Sequence, residues 1–133
     1  MNNNIKYGVI GVGHLGVFHI EQAKKLKNCI LVGFYDVDSV KVGGVVKKYG
    51  IRGFKNIKNL LKQCDAVSIV TPTKEHYNIG LLALKYNCHI FVEKPITSLV
   101  KDARSLIKSA KKRNLKIQVG HIERFNPGFQ WFV

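Results

Sequence analysis

Acidic residues are scarce in this chain, with 8 Asp and Glu against 22 Lys and Arg in 133 residues. Cysteine is also rare, and Cys29, Cys64 and Cys88 are odd in number and widely spaced. This pattern excludes a disulfide framework and a zinc site, and it predicts reduced thiols in a cytoplasmic protein that binds no metal. No apolar run approaches the length that crosses a bilayer, so we expect no membrane partner. The first four residues have neither a basic nor an apolar signal region, so no secretory signal is expected.

The formal net charge of +14 raises the question of an anionic partner. The lysines are spread over most of the helices that the pattern predicts, and no helix-turn-helix, zinc-finger or aromatic-basic RNA motif accompanies them. Dispersed lysines of this kind are typical of solvated helix faces. We therefore expect no specific nucleic-acid partner, and a protein that binds anions through its charge alone is a competing hypothesis.

Hydrophobic residues make up 46% of the chain, enough for one globular domain with a core. Apolar runs rich in β-branched residues alternate with stretches of helical periodicity, which is typical of a parallel sheet covered on both faces. The predicted fold class is α/β, a doubly wound parallel Rossmann sheet with strand order 3-2-1-4-5-6. The predicted strands are 5–10, 30–35, 51–54, 66–70, 89–92 and 116–119, and the predicted helices are 15–26, 40–48, 57–63, 75–86 and 99–113.

The first predicted strand runs directly into a turn with the spacing G-x-G-x-x-G, and a predicted helix follows. In this pattern Gly11 permits a tight turn, Gly13 leaves room for a pyrophosphate, and Gly16 lets the helix pack closely on the strand. His14 and Leu15 complete the loop at the start of the helix, where free N–H groups and the positive dipole end attract phosphate. These five residues are predicted to bind a dinucleotide.

Asp36 ends the second predicted strand, twenty residues after Gly16. A carboxylate at this point accepts hydrogen bonds from ribose hydroxyls and repels the 2′-phosphate of NADP. Asp36 therefore favours NAD as the cofactor. Lys41 is close enough in sequence to soften that preference, so NADP remains possible.

More polar residues follow the fourth predicted strand. Thr71, Pro72 and Thr73 come directly after it, at the edge of the sheet where a cofactor would lie. Thr73 is equally a candidate N-cap of the next helix, and the two roles are compatible. His76, on the first turn of that helix, is a candidate for the cofactor site or for a structural hydrogen bond.

Glu93, Lys94 and Pro95 follow the fifth predicted strand, and Gly120 begins the run G-H-I-E-R-F-N-P. Together with V-I-G-V-G-H-L-G and T-P-T-K-E-H, these motifs resemble the N-terminal half of the Gfo/Idh/MocA oxidoreductases over nearly the whole chain. The resemblance implies an NAD(P)-dependent dehydrogenase of sugars, inositols or sugar derivatives. The last run most resembles bacterial members that act on nucleotide-linked amino sugars or related carbohydrates.

The resemblance also implies roles for single residues. It places Lys94 where nicotinamide meets substrate, where an ammonium polarises the reacting oxygen or relays its proton, and a solvated loop lysine is the alternative. Glu93 is expected at the cofactor site, either paired with Lys94 or simply ending the strand. The Lys94–Pro95 bond is expected to be cis, and His76 corresponds to a family histidine near the nicotinamide.

Members of this family carry a second α/β domain with a catalytic histidine. We therefore expect residues 1–120 to form the dinucleotide-binding domain and 121–133 to begin the connection to a substrate domain, with a carbohydrate or sugar nucleotide as substrate of the full-length protein. The chain alone is expected to be inactive, and a dinucleotide-binding module without catalysis is the other hypothesis. The apolar residues 129–133 and the last strand predict self-association into a homo-oligomer.

Overall fold

Five parallel strands form one sheet in the computed structural model, which describes residues 3–131. The strands are β1 (Ile5–Ile10), β2 (Cys29–Tyr35), β3 (Ala66–Ile69), β4 (His89–Glu93) and β5 (Ile117–Gly120). Their order is β2-β1-β3-β4-β5, so the chain starts near the middle of the sheet, builds one edge and then crosses to the other. The predicted doubly wound arrangement is confirmed.

Helices fill the connections between strands, as predicted. They are α1 (His14–Lys25), α2 (Ser39–Tyr49), α3 (Ile57–Leu61), α4 (Thr73–Lys85), α5 (Val100–Lys112) and a short α6 (Pro127–Gln130). A 3₁₀ turn, Ile122–Phe125, lies between β5 and α6. Residues 122–130, for which the sequence predicts neither a helix nor a strand, therefore form short helical turns.

The predicted strand at 51–54 is wrong as a strand. The segment makes an isolated bridge between Gly53 and Phe34 of β2, with hydrogen bonds from Phe34 N–H to Arg52 O and from Phe54 N–H to Phe34 O. The segment lies between the left-handed Gly50 that ends α2 and the Asn56 cap of α3, and its two hydrogen bonds to Phe34 make a single bridge instead of a ladder. The segment still lies beside β2, where the predicted strand order places it.

Capping side chains explain why α2 forms despite Gly43 and Gly44 in its interior. The Asp38 carboxylate accepts hydrogen bonds from Val40 N–H and Lys41 N–H at distances of 2.9 and 3.2 Å, which satisfies two free donors of the first turn.

The predicted N-cap at Thr73 is wrong, because α4 begins at Thr73 itself, two residues before the predicted start at residue 75. Pro72 occupies the capping position without a side-chain hydrogen bond, and Thr73 is the first helical residue. The fixed φ of Pro72, −55°, together with an extended ψ, brings the chain into the helix without help from a hydroxyl.

The core lies in two layers, one on each face of the sheet. One layer, around Val9, Ile20 and Phe34, packs under α1 and α2. The larger layer, around Leu60, Leu84 and other residues, packs under α3, α4 and α5. Strands buried on both faces explain the continuous apolar runs in the sequence.

Within residues 3–131, no helix has both the length and the apolar content required to span a bilayer. Among the same residues, no cluster of His, Cys, Asp and Glu is arranged to hold a metal ion.

The three cysteines are free thiols, as predicted, and two of them are deeply buried. Burial, reinforced by neighbouring negative charge, raises the pKa of Cys64 from 9.0 to about 12 and that of Cys88 from 9.0 to about 11. The unfolded chain therefore releases these protons at a lower pH than the folded chain does. Stability from the buried neutral thiols is complete below pH 9 and is lost as the pH rises towards the folded-state values.

We expect the free energy of unfolding to fall by on the order of 2 kcal/mol between pH 8 and pH 10.5. Urea unfolding at the two pH values measures this change. The Cys88→Ala variant should show a smaller fall, because it lacks one of the two thiols. An equal fall in both proteins would show that other groups cause the alkaline destabilisation.

Candidate functional site

A groove of about 800 Å³ lies at the carboxyl ends of β1, β2 and β3. The loops that follow these three strands meet there, because parallel strands present the same end at one edge of the sheet. Its volume is within the range of small-molecule sites in proteins. The lining includes seven residues predicted for the cofactor site, namely Gly11, Gly13, His14, Leu15, Asp36, Thr71 and Pro72.

The glycine loop has the geometry that its spacing predicts. Gly11 has φ +93°, and a Cβ there would lie 2.7 Å from Val70 O. A Cβ on Gly16 would lie 1.9 Å from Gly11 O, so the helix approaches the loop too closely for any side chain. A Cβ on Gly13 would meet nothing within 4 Å. The space beside Gly13 is therefore open to a ligand, whereas the other two glycines are required by the fold.

The close approach at Gly16 gives a test of the packing. Gly16→Ala should lower the free energy of unfolding by about 1–3 kcal/mol or more, since the methyl group has no room beside Gly11 O. Gly43→Ala is the matched control, because it adds the same methyl group to a helix in open space and should be neutral or stabilising. Chemical denaturation of the two variants measures the difference. Equal stability would contradict the close contact.

Asp36 lies at the tip of β2 and ties the glycine loop to that strand. Its Oδ2 accepts a hydrogen bond from Val12 N–H at 2.8 Å, and its Oδ1 accepts one from Asp38 N–H at 2.8 Å. Each oxygen retains a lone pair for a further donor. The sequence predicts the ribose role of this carboxylate but gives no sign of its bond to Val12.

Thr71 follows β3 and lines the groove with a side chain that lacks a partner. Its Oγ1 is buried and makes no hydrogen bond within the described residues. A buried hydroxyl without a partner is costly, so an atom of this kind beside a groove fits a site that a polar ligand completes.

Other predicted site residues lie outside this groove. Gly16 packs beneath the loop, and Thr73, His76, Glu93 and Lys94 are absent from the groove's lining in the described part of the chain. Lys94 is exposed on the turn after β4, and its bond to Pro95 is cis, as expected.

Glu93 pairs with a residue other than Lys94. Its Oε1 accepts a hydrogen bond from His19 Nε2 at 2.8 Å, and the two side chains are largely buried. Of the two expectations for Glu93, pairing with Lys94 is therefore wrong, and Glu93 ends β4.

His76 is almost fully buried, at 1% exposure, and makes structural hydrogen bonds. Its Nδ1 lies 2.9 Å from Pro95 O and its Nε2 lies 2.9 Å from Thr71 O. The histidine thus connects the turn that carries Lys94 to the residue with the unpartnered hydroxyl.

Several groove residues were missed by the sequence reasoning. Tyr35, Ile57, Glu75, Asn78, Ile79 and Leu82 line the groove together with Lys41. Position offered a signal for Glu75, Asn78, Ile79 and Leu82, because one face of a helix that begins at the groove presents residues at spacings of three and four. For Ile57, on a different helix, no such signal exists.

The model of the Gfo/Idh/MocA family, described as an oxidoreductase family with an NAD-binding Rossmann fold, matches residues 5–121. UDP-N-acetylglucosamine 3-dehydrogenase of Acidithiobacillus ferrooxidans is 37% identical over 128 residues, which are 96% of this chain and 40% of the relative. A solved structure of that enzyme aligns with a TM-score of 0.91 at 36% identity, over 97% of this chain and 42% of the enzyme.

Inositol dehydrogenases are also similar. Scyllo-inositol dehydrogenase from Lactobacillus casei, solved with bound NAD(H) and scyllo-inositol, aligns with a TM-score of 0.86 at 28% identity, over 97% of this chain and 39% of that protein. The chain thus spans about 40% of the length of the relatives that it matches. The matched region holds the glycine loop, Asp36, Thr71 and Lys94. The chain belongs to the Gfo/Idh/MocA oxidoreductases and represents the NAD-binding Rossmann fold of that family.

Proposed function

We propose that this chain binds NAD and forms the cofactor half of a dehydrogenase that acts on a sugar or sugar nucleotide. One observation carries the proposal: a groove at the strand ends joins open space over Gly13, the Asp36 carboxylate and the unpartnered Thr71 hydroxyl. The N–H groups at the start of α1 would hold the pyrophosphate, Asp36 the ribose hydroxyls, and Thr71 Oγ1 a further polar group of the cofactor. When bound, NAD supplies the hydride acceptor.

We further propose that Lys94 acts at the reaction centre of the full-length protein. Its ammonium, on the exposed turn after β4, would stabilise the oxygen that develops charge or hold the proton that leaves it. The similarity to UDP-N-acetylglucosamine 3-dehydrogenase supports a nucleotide-linked amino sugar as the substrate class. The three free thiols support a reducing, cytoplasmic location.

Self-association is a further part of the proposal. The side chains of Ile122, Phe125 and Trp131 are exposed to 66%, 77% and 87%, beside the edge strand β5. Exposed apolar side chains next to an unpaired strand edge favour contact between copies.

Calorimetric titration of the 133-residue chain at physiological salt tests the binding proposal, with NAD, NADP and a short DNA duplex as ligands. We expect saturable one-to-one binding of NAD, weaker binding of NADP and no specific binding of the duplex. Among residues 3–131 the one ion pair is His19–Glu93, so the described lysines and arginines have no carboxylate partners. The duplex is therefore included as a ligand, because it tests whether these positive charges bind any polyanion. Binding of the duplex in place of NAD would favour the anion-binding hypothesis.

The preference for NAD should depend on the charge of Asp36. In Asp36→Asn, the ratio of NAD to NADP affinity should fall about tenfold or more, which corresponds to about 1.4 kcal/mol, because the repulsion of the 2′-phosphate is lost and Lys41 also lines the groove. Asp65→Asn removes the same charge at the opposite end of the sheet, where Asp65 accepts from Lys6 N–H, and should leave the ratio unchanged. Equal ratios in the wild-type chain and in both variants would contradict the role of Asp36.

A further inference from the structure

Two histidines connect β3 and the loop after it to Glu93 and Pro95, the residues on either side of Lys94. His19, on α1, lies between Ser68 of β3 and Glu93, with its Nδ1 2.8 Å from Ser68 Oγ and its Nε2 2.8 Å from Glu93 Oε1. His76, on α4, lies between Thr71 and Pro95 at 2.9 Å from each carbonyl oxygen. Of the two residues next to Lys94 in the chain, Glu93 is thus connected to β3, and Pro95 is connected to the loop after β3 that carries the unpartnered hydroxyl.

The bridge through His19 belongs to a longer chain of hydrogen bonds. Tyr7 of β1 bonds through its hydroxyl to Ser68 Oγ, and burial raises the pKa of Tyr7, so this phenol remains protonated. One arrangement of hydrogens satisfies every member: Tyr7 donates to Ser68, Ser68 donates to His19 Nδ1, and His19 Nε2–H donates to Glu93. The Glu93 carboxylate is therefore fixed by three elements besides its own strand.

The bridge through His76 has a different chemistry. Carbonyl oxygens only accept hydrogen bonds, so a neutral ring donates to either Pro95 or Thr71, and an imidazolium donates to both. A ring that is 1% exposed could be replaced by an apolar side chain if filling space were its purpose. Instead, the two ring nitrogens of His76 contact the carbonyl oxygens of Pro95, the residue after Lys94, and of Thr71, a residue of the groove.

We propose that His19 and His76 are positioning residues that hold the Lys94 turn in register with the cofactor groove. The inference rests on the proposed function of Lys94, since it explains how that exposed side chain keeps a fixed place relative to a groove that it does not line. Buried hydrogen-bond networks of this kind fix geometry more than they add stability. The bridges act on the backbone on either side of Lys94 and leave its ammonium free.

The proposal is tested by ¹⁵N relaxation of the Lys94 amide in the 133-residue chain without cofactor. At His76, asparagine places its amide where Nδ1 lies and can still reach Pro95, whereas glutamine places its amide where Nε2 lies and reaches Thr71 only. We expect the order parameter of the Lys94 amide to be about 0.85 in wild-type chain and His76→Asn, and to fall below about 0.6 in His76→Gln. Equal mobility of Lys94 in the two variants would overturn the role of the Pro95 bond.

The Glu93 bridge gives an independent pair of variants. Glu93→Gln keeps an acceptor for His19 Nε2–H and should keep Lys94 rigid, whereas Glu93→Ala removes the bond and should make it mobile. Thermal unfolding of all four variants checks that each is folded. If the two His76 variants do not fold, the comparison of Glu93→Gln with Glu93→Ala decides the question. A rigid Lys94 in both Glu93→Ala and His76→Gln would overturn the proposal.

NAD titration of the same variants separates this inference from the proposed function. Neither histidine lines the groove, so NAD affinity should stay within about threefold of the wild-type value, or about 0.65 kcal/mol. Failure of the wild-type chain to bind NAD would contradict the proposed function and leave the relaxation result unaffected. Rigid Lys94 in every variant, with NAD bound normally, would contradict the positioning role alone.

Discussion

Replacement of Gly13 by valine is expected to abolish NAD binding and leave the fold intact. A side chain at this position would occupy the open space over the loop, where no protein atom lies within 4 Å of a Cβ and where the pyrophosphate is proposed to lie. The backbone of Gly13, with φ −67° and ψ −162°, is one that any residue adopts, so the substitution carries no backbone strain. Calorimetry should show an affinity loss of at least about 100-fold, equivalent to about 2.8 kcal/mol.

Gly43→Val is the matched control for this substitution. It adds the same side chain in open space on α2, away from the groove, and should bind NAD as the wild-type chain does. Thermal unfolding followed by circular dichroism checks the fold of both variants. Unchanged NAD affinity in a folded Gly13→Val chain would show that the phosphates do not lie over this loop.

Lys94→Ala is expected to lower turnover far more than it weakens NAD binding, in a longer protein that carries the proposed substrate domain. Loss of a group that stabilises charge or transfers a proton costs about 10²–10⁴-fold in rate. NAD affinity should change little, because Lys94 does not line the groove. Substrate-dependent NADH formation and NAD titration, measured on the same preparations, give the two quantities.

Lys108→Ala on the exposed face of α5 controls for the loss of a positive charge and should retain full turnover. Turnover preserved in Lys94→Ala would return Lys94 to the alternative of a solvated loop lysine. The 133-residue chain by itself should form no NADH, because positioning of substrate against cofactor, which supplies about 7–11 kcal/mol of barrier lowering, is proposed to require a substrate domain.

Much of the fold follows from local pattern. The apolar runs of β1 and β4 and the spacing of apolar residues on α5 are properties of neighbouring residues, and the structure places these elements within a residue or two of the prediction. The bridge at Gly53 and the start of α4 at Thr73 differ from the prediction. A strand forms only where successive residues pair with a neighbouring strand, and a proline can direct the chain into a helix without a capping hydroxyl.

In the candidate site, too, some features follow from local sequence and others depend on tertiary contacts. The glycine loop is predictable because each glycine answers a local steric demand, and the structure shows those demands at Gly11 and Gly16. His19 and Glu93 are 74 residues apart in the chain, and sequence spacing alone does not reveal that their side chains meet. Tertiary contacts therefore decide the partner of Glu93, which is a buried histidine and not the lysine beside it in the chain.

The most direct test of the account is a ¹H–¹⁵N NMR titration of the chain with NAD. We expect saturable shift changes that are largest at Gly13, His14, Asp36 and Thr71, the residues that surround the groove. Helix α5, which carries many of the surface lysines, should be unaffected. Shift changes spread over the lysines of α5, or the absence of saturable changes around the groove, would contradict the claim that this chain binds NAD at the carboxyl ends of its strands.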